Sequence, residues 1–171
     1  MKIAVIGTSE FTLNCAQILI DNECIVSALV SLPKNNLPNN SANVKKFSLL
    51  NNISYFETSD INSNKSISYL EELKVDFILS TWPHIILKRV IDIPKYGVIG
   101  THPTLLPRNR GRHPLHWMVS LGISNSKMSF FKMDETIDGG NILVQEPFIV
   151  GDNINSANHN MIEAGKNGLI N

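Results

Sequence analysis

The stretch Lys2-Ile3-Ala4-Val5-Ile6-Gly7 opens the chain and decides the class of its fold. Ile3 to Ile6 is a short apolar run rich in β-branched residues and closed by a glycine, the pattern of a strand buried on both faces of a parallel sheet. Working outward, Phe11, Cys15, Ile18 and Leu19 recur at helical spacing ahead of the Asp21-Asn22 breaker, and Cys24 to Leu32 reads as a second strand. A strand, a helix and a further strand make one crossover unit, which is right-handed in nearly all proteins. The alternation then continues, with a helix over 44–50, a strand over 53–56, a helix over 66–73, a strand over 75–80, a short helix over 86–90 and a strand over 96–100. The expected fold class is therefore α/β, with a doubly wound, mostly parallel sheet flanked by helices. Beyond it, 113–121 reads as a helix, 127–133 as a strand, 134–140 as a loop, 141–150 as a strand and 155–171 as a tail helix. The Asn-, Pro- and Ser-rich segment 33–43 reads as an exposed, mobile loop.

A chain of 171 residues, 43% hydrophobic, is expected to form a single domain with one core. Lys plus Arg balance Asp plus Glu at 15 each, so no overall field favours a polyanion or an anionic membrane surface. The N-terminal apolar run is too short for a signal peptide and no later run approaches a membrane span, so a cytoplasmic protein is expected. Cys15 and Cys24 lack the close, repeated spacing of a zinc site or a disulfide framework and read as free thiols, and no metal is expected.

Chemistry concentrates after the strand expected over 96–100. In open α/β sheets ligands bind beyond the carboxyl ends of strands, where loops and helix N-termini converge. There the segment Gly100-Thr101-His102-Pro103-Thr104-Leu105-Leu106-Pro107-Arg108-Asn109-Arg110-Gly111-Arg112 sets one imidazole at a strand end and three guanidinium groups in a proline-bounded loop. Imidazole, with an ordinary pKa of about 6.5, can move a proton or stabilise an oxyanion when a carboxylate holds its ring. His84, His113, His116 and His159 lack such company and read as structural. A carboxylate for His102 is available in Met133-Asp134-Glu135-Thr136-Ile137-Asp138-Gly139-Gly140-Asn141-Ile142-Leu143, where Asp138 stands before two glycines and an apolar strand.

Together the His-Pro-Thr-Leu-Leu-Pro and Asp-Gly-Gly-Asn-Ile elements, the opening Ile6-Gly7-Thr8-Ser9-Glu10-Phe11 and the Gly111–Trp117 stretch resemble the folate-dependent formyltransferases in order and spacing. The resemblance covers most of the chain. It implies the Rossmann-like formyltransferase fold, 10-formyltetrahydrofolate as co-substrate, and attack by a primary amine on the formyl carbon. His102 would then stabilise the oxyanion or move a proton, and Asp138 would orient His102. Where the family carries Asn two residues before the histidine, this chain has Gly100. Thr101, a backbone amide, a nearby Asn or an ordered water is expected to supply the missing hydrogen bond, and returning Asn to position 100 would show whether the rate is limited there.

The same resemblance places the donor against Trp82, Ile85 and Leu87 and against the acidic loop Asp134, Glu135 and Thr136, although helix-start packing and a solvated turn explain these residues too. Thr8 and Ser9 are expected to contact the acceptor or simply to cap a helix. Arg108, Arg110 and Arg112 suit acceptor phosphates, or are solvated loop charges. The Arg-Gly-Arg-His-Pro-Leu-His-Trp stretch looks most like nucleotide-sugar N-formyltransferases, so the expected acceptor is a nucleotide-linked amino sugar. A nucleic-acid partner is disfavoured by the charge balance, and a homodimer remains open. The alternatives are a methionyl-tRNA or peptide-synthetase type of formyltransferase domain, and an inactive folate- or nucleotide-binding module, for which Gly100 is the argument. A dinucleotide-dependent oxidoreductase is disfavoured, because Gly7-Thr8-Ser9-Glu10-Phe11 lacks the Gly-x-Gly-x-x-Gly turn. Family members are usually longer, so a shortened chain without a C-terminal extension stays open beside a complete domain.

Overall fold

The computed structural model describes residues 1–39 and 41–170. Asn40, in the segment expected as an exposed loop, and Asn171, at the end of the expected tail helix, lie outside the described residues. Seven strands form a mostly parallel sheet with flanking helices, in the chain-numbered order 3-2-1-4-5-6-7, which is the α/β class expected from the alternating pattern. The chain divides into two compact units, 1–99 and 100–171.

In the first unit, β1 (Lys2–Gly7) pairs in parallel with β2 (Ile25–Ser31) and β4 (Phe77–Thr81), and β2 pairs in parallel with β3 (Ser54–Glu57). The helices α1 (Glu10–Asp21), α2 (Val44–Leu50), α3 (Asn64–Leu73) and α4 (Lys88–Ile91) alternate with them. Ala4, Val5, Ile6, Leu29, Val30 and Ile78 are completely buried. Each large apolar side chain so removed from water stabilises the fold by roughly 1.5–3 kcal/mol before entropy is counted. Gly7 is required at the tip of β1: a Cβ there would run into the Thr81 and Thr12 hydroxyls, which hydrogen-bond each other at 2.6 Å.

Most described residues of segment 33–43 are exposed, as expected, and the segment carries ordered contacts. Lys34–Asn36 form a 3-10 turn, and the chain then returns so that the Ala42 N–H donates to the Thr8 carbonyl at 2.8 Å and Ser41 bridges Ser9. Ala42 is buried, an apolar anchor near the end of this segment that composition hides. The helix expected over 86–90 begins at Lys88, because the Asn62 amide takes the Ile85 carbonyl (2.9 Å) and the Leu87 N–H (2.8 Å) and keeps those residues out of the helical ladder.

The strand expected over 96–100 is β5 (Val98–His102), two residues later. Gly97, at φ 106°, turns back on the Pro94 carbonyl (3.2 Å), so extended backbone starts only at Val98. His102 is consequently the last residue of a strand and not part of the loop that follows. In the second unit α5 (Pro114–Ser120) precedes an antiparallel pair, β6 (Asn125–Lys132) and β7 (Ile142–Ile149), and α6 (Ile154–Ile170) follows. The Asn153 carboxamide oxygen accepts from the Asn155 and Ser156 N–H groups (3.0 Å each), an N-terminal cap for α6. Met118, Met128, Phe130 and Phe131 are buried in this unit.

Candidate active site

His102 is 5% exposed, and its ring is held from two sides. Nε2 lies 3.0 Å from the Asn109 carbonyl oxygen. A carbonyl can only accept, so Nε2 carries a proton and donates it, which fixes the ring. Nδ1 faces Asp138 Oδ1 at 3.7 Å, within ion-pair reach and longer than a direct hydrogen bond. The other carboxylate oxygen of Asp138 accepts from the Gly111 N–H at 2.7 Å. The geometry thus brings His102 and Asp138 together, with the Nδ1 side of the ring turned toward the carboxylate.

The loop carrying Asn109 and Gly111 is set by buried hydroxyls and an amide that the motif does not announce. Ser129 Oγ, fully buried in β6, donates to the Thr104 carbonyl at 2.6 Å. Gln145 Nε2 in β7 donates to the Leu106 carbonyl (3.1 Å) and to Ser129 Oγ (2.9 Å). Thr104 Oγ1 donates to the Arg108 carbonyl at 2.9 Å and Ser126 Oγ to the Pro103 carbonyl at 3.1 Å. Four residues at positive φ then shape the site, namely Asn109 (56°), Gly111 (105°), His113 (56°) and Asp138 (47°). Asn, Asp and His tolerate the left-handed region better than most residues, and such strain persists only where the surroundings impose it.

Gly100 is two residues before His102 on β5 and shares its face, because side chains alternate along a strand. A Cβ built on Gly100 falls 2.6 Å from Phe131 Cζ and 2.8 Å from Met133 Cγ. The space where a side chain would begin is thus filled by the Phe131 ring and the Met133 side chain. Thr101, expected as a stand-in, is directed by the same alternation to the opposite face from His102.

The other expected contacts divide between the units. In the second, Asp134, Glu135 and Thr136 are exposed. Asp134 accepts from both the Thr136 hydroxyl and the Thr136 N–H (2.7 Å for the latter). These bonds, hydroxyl first, hold its carboxyl below the ordinary range, with a smaller contribution from Arg110. Arg108, Arg110 and Arg112 are exposed, and Arg110 and Arg112 line a cavity of about 210 Å³ with Trp117, Met118, Leu121 and Ile123. In the first unit, Ser9 caps α1, its hydroxyl accepting from the Thr12 N–H at 3.4 Å, and Thr8 is buried. Trp82 is nearly buried, whereas Ile85 and Leu87 point outward at 66% and 51% exposure from the backbone that Asn62 holds. Asn62, Ser129 and Gln145 went unnoticed in the sequence, since their amides and hydroxyl look like ordinary surface composition, and the roles of Asn109 and Gly111 were hidden because they act through backbone groups. Among the described residues no group of three or more His, Cys, Asp or Glu could hold a metal ion.

The model of the family described as formyl transferase matches residues 1–171. A methionyl-tRNA formyltransferase of Fusobacterium nucleatum is 31% identical over 156 residues, covering 89% of this chain and 50% of that protein. One from Clostridium tetani is 31% identical over 178 residues, covering 99% of this chain and 57% of its own length. The chain therefore spans about half the length of the relatives it matches. Among solved structures, the phosphoribosylglycinamide formyltransferase of Bacillus halodurans superposes with a TM-score of 0.82 at 16% identity, over 98% of this chain and 90% of that one. A formyltetrahydrofolate deformylase of Pseudomonas syringae superposes with a TM-score of 0.79 at 16% identity, over 99% of this chain and 58% of that one, so both show the fold. With the matching sheet, the buried His102 facing Asp138 and a family match along its whole length, this chain belongs to the formyl transferase family.

Proposed function

We propose that this chain transfers the formyl group of 10-formyltetrahydrofolate to a primary amine, with His102 and Asp138 as the catalytic residues. The observation that carries the reading is the His102 ring, fixed through Nε2 by the Asn109 carbonyl and turned with Nδ1 toward Asp138. Attack by an amine leaves excess protons on nitrogen and develops negative charge on the formyl oxygen. The Nδ1 edge can take or return a proton, and Asp138 offsets positive charge on the ring as it does so. Burial of His102 keeps bulk water from the ring and strengthens both effects.

The donor supplies the activated one-carbon group. Ile85 and Leu87, exposed on a backbone already ordered by Asn62, suit contact with a flat heteroaromatic ring. The exposed turn at Asp134, Glu135 and Thr136 suits the polar edge of such a ring, with Asp134 spent mainly on holding the turn itself.

For the acceptor, the relatives named methionyl-tRNA formyltransferases favour the amine of an aminoacyl-tRNA over the nucleotide-linked amino sugar suggested by the Arg-Gly-Arg-x-Pro-x-x-Trp pattern. One feature keeps the sugar reading as the second choice: Arg110, Arg112 and Trp117 border a single cavity, a combination that suits a phosphate attached to a ring. The fold neighbours' glycinamide ribonucleotide is a third candidate. The test is to supply 10-formyltetrahydrofolate with methionyl-tRNA, with dTDP- and UDP-linked amino sugars and with glycinamide ribonucleotide, following tetrahydrofolate release. Turnover with methionyl-tRNA is expected. Turnover with an amino sugar alone would reverse the order of the two acceptor readings, and folate binding without turnover on any amine would replace the enzyme by a binding module.

A further inference from the structure

The loop between Arg108 and Arg112 touches both catalytic residues, and does so through its backbone. The Asn109 carbonyl receives the His102 Nε2 proton at 3.0 Å, and two residues later the Gly111 N–H reaches Asp138 at 2.7 Å. Arg110 stands between them. For a carbonyl at 109 and an N–H at 111 to reach two different residues, the chain must reverse within three positions. It does so with Asn109 at φ 56° and Gly111 at φ 105°.

The Gly111 conformation cannot be a packing requirement, since a Cβ built there meets nothing within 4 Å. The space is open, and only the backbone angle demands glycine. Asn109 is exposed, and its value at this position is that asparagine enters the left-handed region at small cost. Neither residue buries apolar surface, so conserving the fold does not explain a strained loop here.

We propose that Asn109 and Gly111 are positioning residues forming a backbone clamp that holds the His102 ring and the Asp138 carboxylate in register. This rests on the reading of His102 and Asp138 as the catalytic pair. The clamp sets which nitrogen of His102 faces Asp138: with the Asn109 carbonyl in place, Nε2 is the committed donor and Nδ1 is left for chemistry. It also holds Asp138 by one oxygen, leaving Oδ1 toward the ring. Asn109, Arg110 and Arg112 of the same loop also line the cavity beside Trp117.

The test combines ring nitrogen NMR of His102 in the full chain with steady-state kinetics, using three variants. Asn109→Val places a β-branched residue in the left-handed region, Gly111→Ala adds a methyl group into open space at an angle alanine avoids, and Asn109→Gly keeps the angle while removing the side chain. The native ring is expected to show a protonated Nε2. Asn109→Val is expected to lose that signature, and both Asn109→Val and Gly111→Ala are expected to lower kcat by up to about 100-fold, as a displaced catalytic group does, with KM for 10-formyltetrahydrofolate little changed. Asn109→Gly should recover most of what Asn109→Val loses, which a side-chain role for Asn109 would not allow. An unchanged His102 ring signature in folded Asn109→Val, or native kcat in folded Gly111→Ala, would overturn the clamp. Circular dichroism identifies any variant that has unfolded, and Asn109→Ala and Gly111→Asn then replace it as milder changes at the same two angles. Should the native protein turn over no amine, the formyl-transfer reading fails while the ring spectra still decide the clamp.

Discussion

At the scale of single residues, Gly100 is closely enclosed. A neighbour was expected to supply the hydrogen bond of the family's asparagine, and restoring Asn was the natural way to look for a gain. Phe131 and Met133 instead fill the first atoms of any side chain at 100, at 2.6 and 2.8 Å. Gly100→Asn should therefore force a buried aromatic ring aside and destabilise the protein by about 1–3 kcal/mol in urea denaturation, with no gain in rate. Pairing it with Phe131→Val should recover part of that stability, and a stable, faster Gly100→Asn single variant would contradict the packing account. His102 and Asp138 were legible because a titratable ring at a strand end and a carboxylate beside paired glycines are side-chain signals. Phe131 and Met133 were not legible, because an apolar residue in a strand gives no sign of whose space it fills. The same holds for Asn109 and Gly111, which work through a carbonyl and an N–H that every residue possesses.

At the scale of elements, the site is built by a strand end and by polar pins from a hairpin. Placing β5 at Val98–His102 puts the imidazole on regular strand backbone, a shift of two residues that the sequence conceals because the apolar run around Tyr96 continues through a Gly97 turn. Ser129 and Gln145 tie β6 and β7 to the Thr104 and Leu106 carbonyls. Gln145→Leu would leave the Leu106 carbonyl and the Ser129 hydroxyl each short of a partner. It is expected to cost about 1–3 kcal/mol of stability and to lower kcat, because the released segment leads directly into the loop that holds His102 and Asp138. A folded Gln145→Leu protein with native stability and rate would show that the hairpin does not set the loop. Alternation of apolar runs made the elements themselves readable, whereas their ends were decided by the Asn62 amide and Gly97, interactions that periodicity does not contain.

At the scale of the whole molecule, the α/β class followed from the opening crossover, and the family from segments distant in sequence that keep their order. The acceptor was less legible, because it depends on exposed loop charges whose partner is not in the chain. Burial offers a check on the first unit's core. Cys15 is completely buried, and that desolvation pushes its thiol far above the ordinary range. It should resist iodoacetamide at pH 8 in the native protein and react only at the rate of opening, while half-buried Cys24 labels first. Rapid labelling of Cys15 without unfolding would contradict the packing of α1.

The most direct measurement of the central claim is the single-turnover rate of formyl transfer from 10-formyltetrahydrofolate in His102→Ala, Asp138→Asn and the double variant, each shown to be folded and to bind folate. The account predicts that each single substitution lowers the rate by roughly 100-fold or more, and that the double variant is little worse than the slower single one, because the two groups act as a unit. A native rate in either single variant, or fully multiplicative losses in the double, would contradict a catalytic pair at His102 and Asp138.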